Sequence, residues 1–254
     1  MTGWTVRYAE ASISLHDLAH YLKLQARALA AERSRLLRRA QIGIRERVLD
    51  LGCGSGAVTA ELAQRCRGRV IAADRSLAML GQVDPVLARV AADGLRLPFP
   101  DGCIDLVFSQ MLLLWVPELE RLFAEVRRVL CAGGAFVIAA EPDYGGAIEY
   151  PESAALAPLW IAGLTRAGAD PRVARRLPAL ARAAGFEIEA RFHPGPPGPD
   201  QIAAFRELDV EHLGELPLDA NERARLERGA AARRAAGADL LVWIPTLGIL
   251  ARKP

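Results

Sequence analysis

One stretch of the sequence decides the fold: Val48-Leu49-Asp50-Leu51-Gly52-Cys53-Gly54-Ser55-Gly56. Its first half is short, apolar and β-branched at its start, which predicts a buried strand. Three glycines follow at alternate positions, and a helical pattern begins after them. Because glycine lacks a Cβ and tolerates positive φ, such a loop turns tightly and lets a ligand lie against the backbone. The amides that open the next helix point at that ligand, so the stretch predicts a site for a nucleotide-like cofactor.

Outward from this loop, strand patterns alternate with helical ones. The predicted strands cover residues 47–51, 70–74, 86–92, 104–109, 135–140, 186–192 and 240–251. This alternation is typical of a parallel sheet that is covered by helices on both faces. We therefore expect an α/β fold: a Rossmann-like, doubly wound sheet of seven mostly parallel strands, with helices on both faces and a helical cap.

The chain divides into three predicted parts. Residues 1–44 form an N-terminal helical cap segment. In it, one face of a helix spanning about residues 12–40 carries Leu15, Leu18, Leu22 and Leu29. Residues 45–195 and 237–254 form the core. Residues 196–236 form a helical cap insertion before the last strand. A proline-glycine linker covers residues 194–199, and residues 201–236 are rich in alanine and arginine.

Five polar side chains stand at or just beyond the predicted carboxyl ends of strands: Asp50, Asp74, Asp93, Ser109 and Glu141. Ligands of doubly wound sheets bind at the carboxyl ends of the strands. Since these ends meet at one edge of a parallel sheet, we expect the five residues to surround a single site.

The glycine loop has two interpretations. Gly52-x-Gly54-x-x-Ala57 satisfies the relaxed dinucleotide fingerprint, and Asp74 lies near the expected distance downstream. However, Asp50 stands two residues before the first glycine, where its carboxylate would repel a pyrophosphate. The same carboxylate would pair well with an ammonium group. S-adenosylmethionine carries an ammonium and a sulfonium where NAD carries two phosphates, so the electrostatics favour the methyl donor.

The motifs resemble those of class I S-adenosylmethionine-dependent methyltransferases, in order and in spacing, over about residues 45–142. The matching segments are Val48-Leu49-Asp50-Leu51-Gly52-Cys53-Gly54-Ser55-Gly56, Ala73-Asp74-Arg75-Ser76, residues 92–99, Asp105-Leu106-Val107-Phe108-Ser109 and Arg128-Val129-Leu130-x-x-Gly133-Gly134. The most similar branch is the small-molecule type, typified by ubiquinone and menaquinone biosynthesis methyltransferases. The resemblance implies S-adenosyl-L-methionine as cofactor, S-adenosyl-L-homocysteine as product and a small-molecule acceptor.

The resemblance also implies a role for each matching residue. Asp50 and the backbone of the glycine loop hold the methionine part, Asp74 accepts hydrogen bonds from both ribose hydroxyls, and Asp93 accepts one from the adenine amino group. Ser109 borders the methionine part or the substrate. The complete expected cofactor-binding set is Asp50, Gly52, Cys53, Gly54, Gly56, Asp74, Arg75, Asp93, Gly94, Leu95 and Ser109. Within it, Cys53 is expected to be a small packing residue and not a reactive thiol.

The expected chemistry is an in-line displacement at the sulfonium methyl, to which the protein mainly contributes alignment and desolvation. Glu141 and Tyr144 follow the fifth strand and are the candidate catalytic residues, expected to orient or deprotonate an acceptor there. Equally open is the alternative that Glu141 and Asp143 organise a turn and bind the edge of the cofactor. His193 and His212 lie in the predicted cap region. Either could serve as the base, but a lone surface histidine usually has no chemical role.

Composition limits the partners. A net charge of +2 gives no reason to expect nucleic acid. The four cysteines lack metal-ligand spacing and suit a reduced compartment. There is no signal segment, and the longest apolar run, residues 103–116, is too short to cross a bilayer, so we predict a cytoplasmic protein without membrane insertion. The sequence makes no prediction of oligomeric state.

No metal site is expected either. His16 and His20 are four residues apart on a predicted helix, a spacing that can hold zinc, but Asp17 replaces the glutamate of the zinc-protease motif and no third ligand is evident nearby. Two alternatives to a methyltransferase stay open at this point: a methyltransferase-like cofactor-binding protein without turnover, and an NAD(P)-dependent oxidoreductase.

Overall fold

The computed structural model describes residues 14–192 and 210–254. Its central feature is a seven-stranded sheet in the order β3-β2-β1-β4-β5-β9-β7. The strands of this sheet are β1 (Arg47–Leu51), β2 (Arg69–Asp74), β3 (Ala88–Ala91), β4 (Ile104–Gln110), β5 (Leu130–Pro142), β7 (Glu187–Phe192) and β9 (Thr246–Arg252). β1 to β5 pair in parallel, whereas β9 runs antiparallel to both β5 and β7. The predicted α/β class, with seven mostly parallel strands, is confirmed.

Helices cover both faces of this sheet. Their bounds are α1 (Leu15–Ala28), α2 (Ala30–Arg39), α3 (Thr59–Arg65), α4 (Leu77–Leu80), α5 (Leu119–Val129), α6 (Ala157–Arg166), α7 (Leu177–Ala183) and α8 (Ala220–Ala236). Side chains alternate along a strand, so β1 places Val48 in one core, with residues of α2 and α3, and Leu49 in the other, with residues of α5 and α6.

The predicted last strand, residues 240–251, is wrong in one respect. Two strands occupy this range, β8 (Leu241–Trp243) and β9, and they belong to different sheets. β8 pairs with β6 (Ile148–Tyr150), which the sequence analysis did not predict. Between them, the carbonyl of Pro245 accepts a hydrogen bond from the amide of Asp143. Proline has no amide hydrogen to continue a ladder, so the strand is interrupted there.

The N-terminal helix is also divided. α1 ends at Ala28 and α2 begins at Ala30, with Leu29 between them outside helical geometry. The predicted linker at residues 194–199 and the beginning of the predicted cap insertion lie outside the described residues. The three-part domain division stays a prediction. Within residues 14–192 and 210–254, no helix is both long enough and apolar enough to cross a membrane.

Candidate active site

A cavity of about 450 Å³ opens beside the carboxyl ends of β1, β2 and β4. Such a volume is in the usual range for small-molecule sites. Five of the predicted cofactor-binding residues line it: Asp50, Gly52, Cys53, Gly54 and Asp74. α1 forms the opposite wall, through Leu15, Leu18, Tyr21, Leu22, Gln25 and Ala26. The residues expected to meet at the strand ends therefore do so for the glycine loop, Asp50 and Asp74.

The glycine loop owes its shape to two backbone positions. Gly52 has φ +72°, and a Cβ built there would lie 2.6 Å from Leu112 Cδ1. Gly54 has φ +54°, and its Cβ would lie 3.2 Å from Leu22 Cδ1 on α1. L-residues rarely adopt such φ values, so both the turn and the close packing require glycine. The loop can thus pass directly beneath a bound molecule.

Asp50 is the buried acid of this site, with 2% of its surface exposed. Thr59, in the first turn of α3, donates a 2.6 Å hydrogen bond from Oγ1 to Asp50 Oδ2. Burial raises the pKa of Asp50 to about 7, and the nearby charge of Asp74 adds to the rise, while Thr59 and Arg33 oppose it. The carboxylate is thus held in a cavity where a cation would be strongly favoured. Sequence analysis did not identify Thr59, although a hydroxyl beginning the helix after the loop was a usable signal.

Asp74 joins the second strand to the glycine loop. Its Oδ2 accepts a 2.9 Å hydrogen bond from the amide of Gly54, and its Oδ1 accepts a 2.8 Å bond from the amide of Ser76. Burial raises the pKa of Asp74, and these amides partly offset the rise. A carboxylate has about four acceptor positions, so positions remain for hydroxyl groups of a ligand in the cavity.

Cys53 behaves as a packing residue. It is buried with Ala72, Leu80 and Val83. Burial, with the charges of Asp50 and Asp74, raises the pKa of its thiol. A thiol kept protonated in this way is a poor nucleophile, which agrees with the packing role expected for it.

The predicted adenine-side residues lie together at the ends of β2 and β3 but outside the cavity lining. Arg75 Nη2 is 3.8 Å from Asp93 Oδ2, and Asp93 Oδ1 accepts a 3.0 Å hydrogen bond from the amide of Leu95. At Gly94 a Cβ would lie 2.8 Å from Leu122 Cδ1. Their role in adenine binding stays a prediction.

Two other predicted residues face elsewhere. Ser109 is fully buried, and the cavity is lined by its neighbours Phe108 and Gln110. Because alternate side chains of a strand point to opposite faces, Phe108 and Gln110 reach the cavity and Ser109 does not. The expected role of Ser109 beside the methionine part or the substrate stays a prediction. Gly56 lies against Val83 at φ +78° and shapes the loop without lining the cavity.

The structure separates the two candidate catalytic residues. Tyr144 lines the cavity, whereas Glu141 does not. Glu141 is fully buried, and its Oε1 accepts hydrogen bonds from the amides of Leu112 and Leu113, at 2.8 and 3.0 Å. The expectation that Glu141 reaches the reaction side of the cleft is therefore corrected: its carboxylate organises the turn after β4, as the alternative interpretation had it.

That turn is tightly built. Met111, which follows β4 and lines the cavity, has φ +55°, and Ala140, next to Glu141, has φ +56°. Non-glycine residues with such φ values are uncommon and are held in place by their surroundings. The hydrogen-bonded amides of Leu112 and Leu113 directly follow Met111. Burial raises the pKa of the Glu141 carboxyl that accepts these bonds to about 7.

A row of four aromatic rings forms the other end of the cavity. Tyr21 stacks on His212 with centroids 4.1 Å apart and planes at 11°; His212 lies 5.9 Å from Trp160, and Trp160 lies 5.4 Å from Tyr144. All four residues line the cavity and are buried. We call Tyr21, His212, Trp160 and Tyr144 the aromatic row. They come from α1, from the helical residues 210–214, from α6 and from the segment after β5.

His212 is therefore not a surface histidine, and the interpretation of it as one is wrong. It is 5% exposed, and burial lowers its pKa to about 4, so it is neutral near pH 7. His193, the other histidine considered, lies outside the described residues. Within the described ranges no group of three or more histidine, cysteine or acidic side chains is placed to hold a metal ion.

Arg33 connects the two walls of the cavity and was also missed. It is 3% exposed; Nη1 donates to the Ala26 carbonyl at 2.8 Å and to Gln110 Oε1 at 3.0 Å. Its Nε and Nη2 both donate to Glu61 Oε2. Both bonds are charge-assisted and share one carboxylate oxygen, so the guanidinium is firmly held. Arg33 thus ties α2 to α1, α3 and the end of β4.

Comparison with known proteins supports the motif analysis. Residues 49–138 match the family described as "Methyltransferase domain". The chain is 39% identical over 100 residues to a malonyl-[acyl-carrier protein] O-methyltransferase of Geobacter sulfurreducens, covering 37% of this chain and 38% of that protein. It is 35% identical over 132 residues to a trans-aconitate 2-methyltransferase of an Azoarcus species, covering 50% and 51% respectively. The chain thus spans about a third to a half of the length of these curated relatives.

A solved structure shares the fold over most of the chain. It is a phosphoethanolamine N-methyltransferase 2 of Haemonchus contortus, in complex with phosphomonomethylethanolamine and S-adenosylhomocysteine. The TM-score is 0.58 at 19% identity, and the match covers 89% of this chain and 53% of the other. The class I methyltransferase resemblance is confirmed, as is S-adenosylmethionine as the cofactor of this family. The comparisons give the nicotinamide alternative no support.

Proposed function

We propose that this protein transfers a methyl group from S-adenosylmethionine to a small, partly apolar molecule. Residues 49–138 match the family described as "Methyltransferase domain", and the sheet has the order seen in the fold described above. The observation that carries the proposal is the buried Asp50 carboxylate beside the left-handed glycine loop. An isolated carboxylate is costly to bury, and a cationic ligand would repay that cost. A diphosphate would increase it.

The residues of the cavity fit this cofactor. Asp50 receives the ammonium group of the methionine part, directly or through water, and the glycine loop lies against its backbone. Asp74 accepts from the ribose hydroxyls at the acceptor positions that Gly54 and Ser76 leave open. Asp93, with Arg75, Gly94 and Leu95, is proposed to border the adenine.

When bound, the cofactor would supply an activated methyl group on a positively charged sulfur. An electron pair of the acceptor would form the new bond to the methyl carbon while the carbon–sulfur bond breaks and its electron pair stays on sulfur, which leaves S-adenosylhomocysteine. The proton of the acceptor would pass to solvent. The protein's own part is to orient and desolvate. Met111, Leu112 and Leu114 exclude water from the side of β4, and Tyr144 is placed to hydrogen-bond an acceptor.

The acceptors in the relatives' names are not carried over to this chain. Malonyl groups and trans-aconitate are carboxylic acids, and a buried carboxylate needs a cationic partner. No arginine or lysine stands among the residues that line the cavity in the described part of the chain. The proposal therefore keeps the acceptor as small and partly apolar.

The proposal is tested first by binding. Calorimetric titration with S-adenosylmethionine, S-adenosylhomocysteine and NADH should show binding of the two sulfur compounds alone. Transfer of a labelled methyl group to quinol, phenol, amine and fatty-acid acceptors then tests turnover. Binding without transfer to any of them would favour a cofactor-binding protein, and binding of NADH alone would refute the proposal.

The remaining predictions from the sequence belong to the same proposal. We propose that nucleic acid is not the acceptor, because the net charge is only +2. A cytoplasmic location is proposed from the cysteines, all four of which are free. Turnover of RNA, in preference to small acceptors, would contradict the first of these.

A further inference from the structure

We call the end of the cavity that the aromatic row forms the acceptor end. The charges around the cavity restrict which molecules can bind there. Among the lining residues that the structure describes, the acidic side chains are Asp50 and Asp74, and none is an arginine or lysine. His212 is neutral near pH 7. Arg33 reaches Gln110 at the wall, but its guanidinium is paired with Glu61. An anion placed here would lose its hydration and find no cation in return.

The aromatic row makes the acceptor end both apolar and flat-sided. Tyr21 stacks on His212 with planes at 11°, and Trp160 stacks on Tyr144 with planes at 23°, while His212 and Trp160 are tilted by 31°. Leu114, Leu164 and Trp115 complete the apolar surface. Aromatic side chains prefer offset-stacked or edge-to-face contact with other rings, and such a surface therefore favours a planar ring over a puckered one.

One hydrogen-bond donor in this surface lacks a protein acceptor. Trp160 is 2% exposed, and its Nε1 finds no hydrogen-bond partner among the residues that the structure describes. Buried indole N–H groups are usually bonded. A ligand oxygen in the cavity that Trp160 lines would satisfy this donor.

We infer that the acceptor end of this cavity takes an uncharged aromatic molecule that carries an oxygen atom, with the ring against the aromatic row and the oxygen accepting from Trp160 Nε1. The inference rests on the proposed function, since it names the class of that function's methyl acceptor. It extends the proposal from a partly apolar molecule to one distinguished by planarity, neutrality and a single polar contact.

The test compares one reference ligand with three analogues, each of which differs from it in one property. Calorimetric titration of the full chain, saturated with S-adenosylhomocysteine, compares 2-naphthol with decahydro-2-naphthol, which is not planar, with naphthalene, which has no oxygen, and with 6-hydroxy-2-naphthoate, which is anionic. We expect 2-naphthol to bind about tenfold or more tightly than each of the others, because each lacks one feature that the site recognises.

Two tryptophan variants assign the polar contact. Trp160→Phe keeps an aromatic ring and removes the N–H, so the preference for 2-naphthol over naphthalene should fall about tenfold, while the preference over decahydro-2-naphthol persists. Trp243→Phe is the matched control, because Trp243 lies on β8 and does not line the cavity. It should change neither preference. Thermal melting of both variants confirms that they are folded.

The outcomes separate the two proposals. Tighter binding of 6-hydroxy-2-naphthoate, or equal binding of 2-naphthol and decahydro-2-naphthol, would overturn this inference. The proposed function would still stand in that case, provided that S-adenosylhomocysteine binds. An unchanged oxygen preference in folded Trp160→Phe would overturn the assignment of the donor. Failure of S-adenosylhomocysteine to bind the natural protein would overturn the proposed function, and this inference with it.

Discussion

Thr59 Oγ1 donates a 2.6 Å hydrogen bond to Oδ2 of the buried Asp50. Asp50 lies at the end of β1 and Thr59 lies in the first turn of α3, so the bond connects the strand to the helix on either side of the glycine loop. The hydroxyl stabilises the ionised form of a carboxylate that burial otherwise drives toward protonation. Cofactor binding, as proposed, depends on that ionised form.

Replacement of Thr59 by valine keeps the volume and removes the donor. The loss of a hydrogen bond to a charged group is worth about 1.5–3 kcal/mol, which is about one to two units in pKa. We therefore expect Thr59→Val to weaken S-adenosylhomocysteine binding near pH 7 and to recover part of the affinity at higher pH. Thr59→Ser retains the hydroxyl and should bind as the natural protein does. Equal affinities of the valine and serine variants would contradict the role of this bond.

The pH dependence of binding follows from Asp50 itself. Its pKa is about 7 in the folded protein, so protonation competes with the ligand's ammonium group below that pH. Affinity for S-adenosylhomocysteine should fall by about tenfold from pH 8 to pH 6, as expected for a single group of that pKa. Asp50→Asn should bind weakly with a flat profile over the same range. A natural protein with a flat calorimetric profile would show that the ammonium does not meet this carboxylate.

Local sequence patterns were sufficient for the sheet and for the cofactor end of the cavity. A strand of four or five apolar residues, a glycine loop and an acid at a strand end are all features of neighbouring residues, and the structure brings Asp50, Gly52, Gly54 and Asp74 together as expected. Ser109 was expected at the cavity, but its neighbours Phe108 and Gln110 line it instead. A one-residue shift along a strand moves a side chain to the opposite face, and strand ends are the least certain part of a sequence prediction.

The acceptor end was not predictable in the same way. Its aromatic row joins residues 21, 144, 160 and 212, and their contacts depend on how the helices pack on the sheet. Nothing in the sequence near His212 distinguishes a surface histidine from one stacked between rings. The role of Glu141 was similarly ambiguous, because a carboxylate after a strand can serve either the ligand or the backbone.

Asp74 links the loop to the second strand, and its removal tests the ribose site. Asp74→Ala should weaken cofactor binding by about 1–3 kcal/mol, the range for leaving buried hydrogen-bond partners unpaired. Asp84→Ala is a suitable control, because Asp84 also accepts from a backbone amide, that of Val86, but lies in an exposed turn outside the cavity. Isothermal titration of both variants makes the comparison. An unchanged affinity in Asp74→Ala would remove this residue from the site.

Gly52 and Gly133 share a left-handed backbone but differ in their surroundings. A Cβ at Gly52 would lie 2.6 Å from Leu112 Cδ1, whereas at Gly133 nothing lies within 4 Å. Gly133→Ala should therefore lower the free energy of unfolding by about 1 kcal/mol, from backbone strain alone. Gly52→Ala adds steric overlap and should lose about 1–3 kcal/mol more. Urea unfolding measures both, and Gly52→Ala/Leu112→Ala should lose less than the two single changes summed.

Glu141 offers the sharpest separation of a catalytic role from a structural one. Burial raises its pKa to about 7 from 4.5, so its stabilising contribution is present below pH 4.5 and is lost as the pH rises through about 7. Glu141→Gln keeps an oxygen for the amides of Leu112 and Leu113 and removes the buried charge. We therefore expect its melting temperature to exceed that of the natural protein at pH 8, with a smaller difference at pH 5. Glu141→Ala leaves both amides without an acceptor and should cost about 1–3 kcal/mol for each. If the glutamine variant were as stable as expected but had lost methyl transfer to an established acceptor, Glu141 would be a base after all; retained transfer would assign it to the turn.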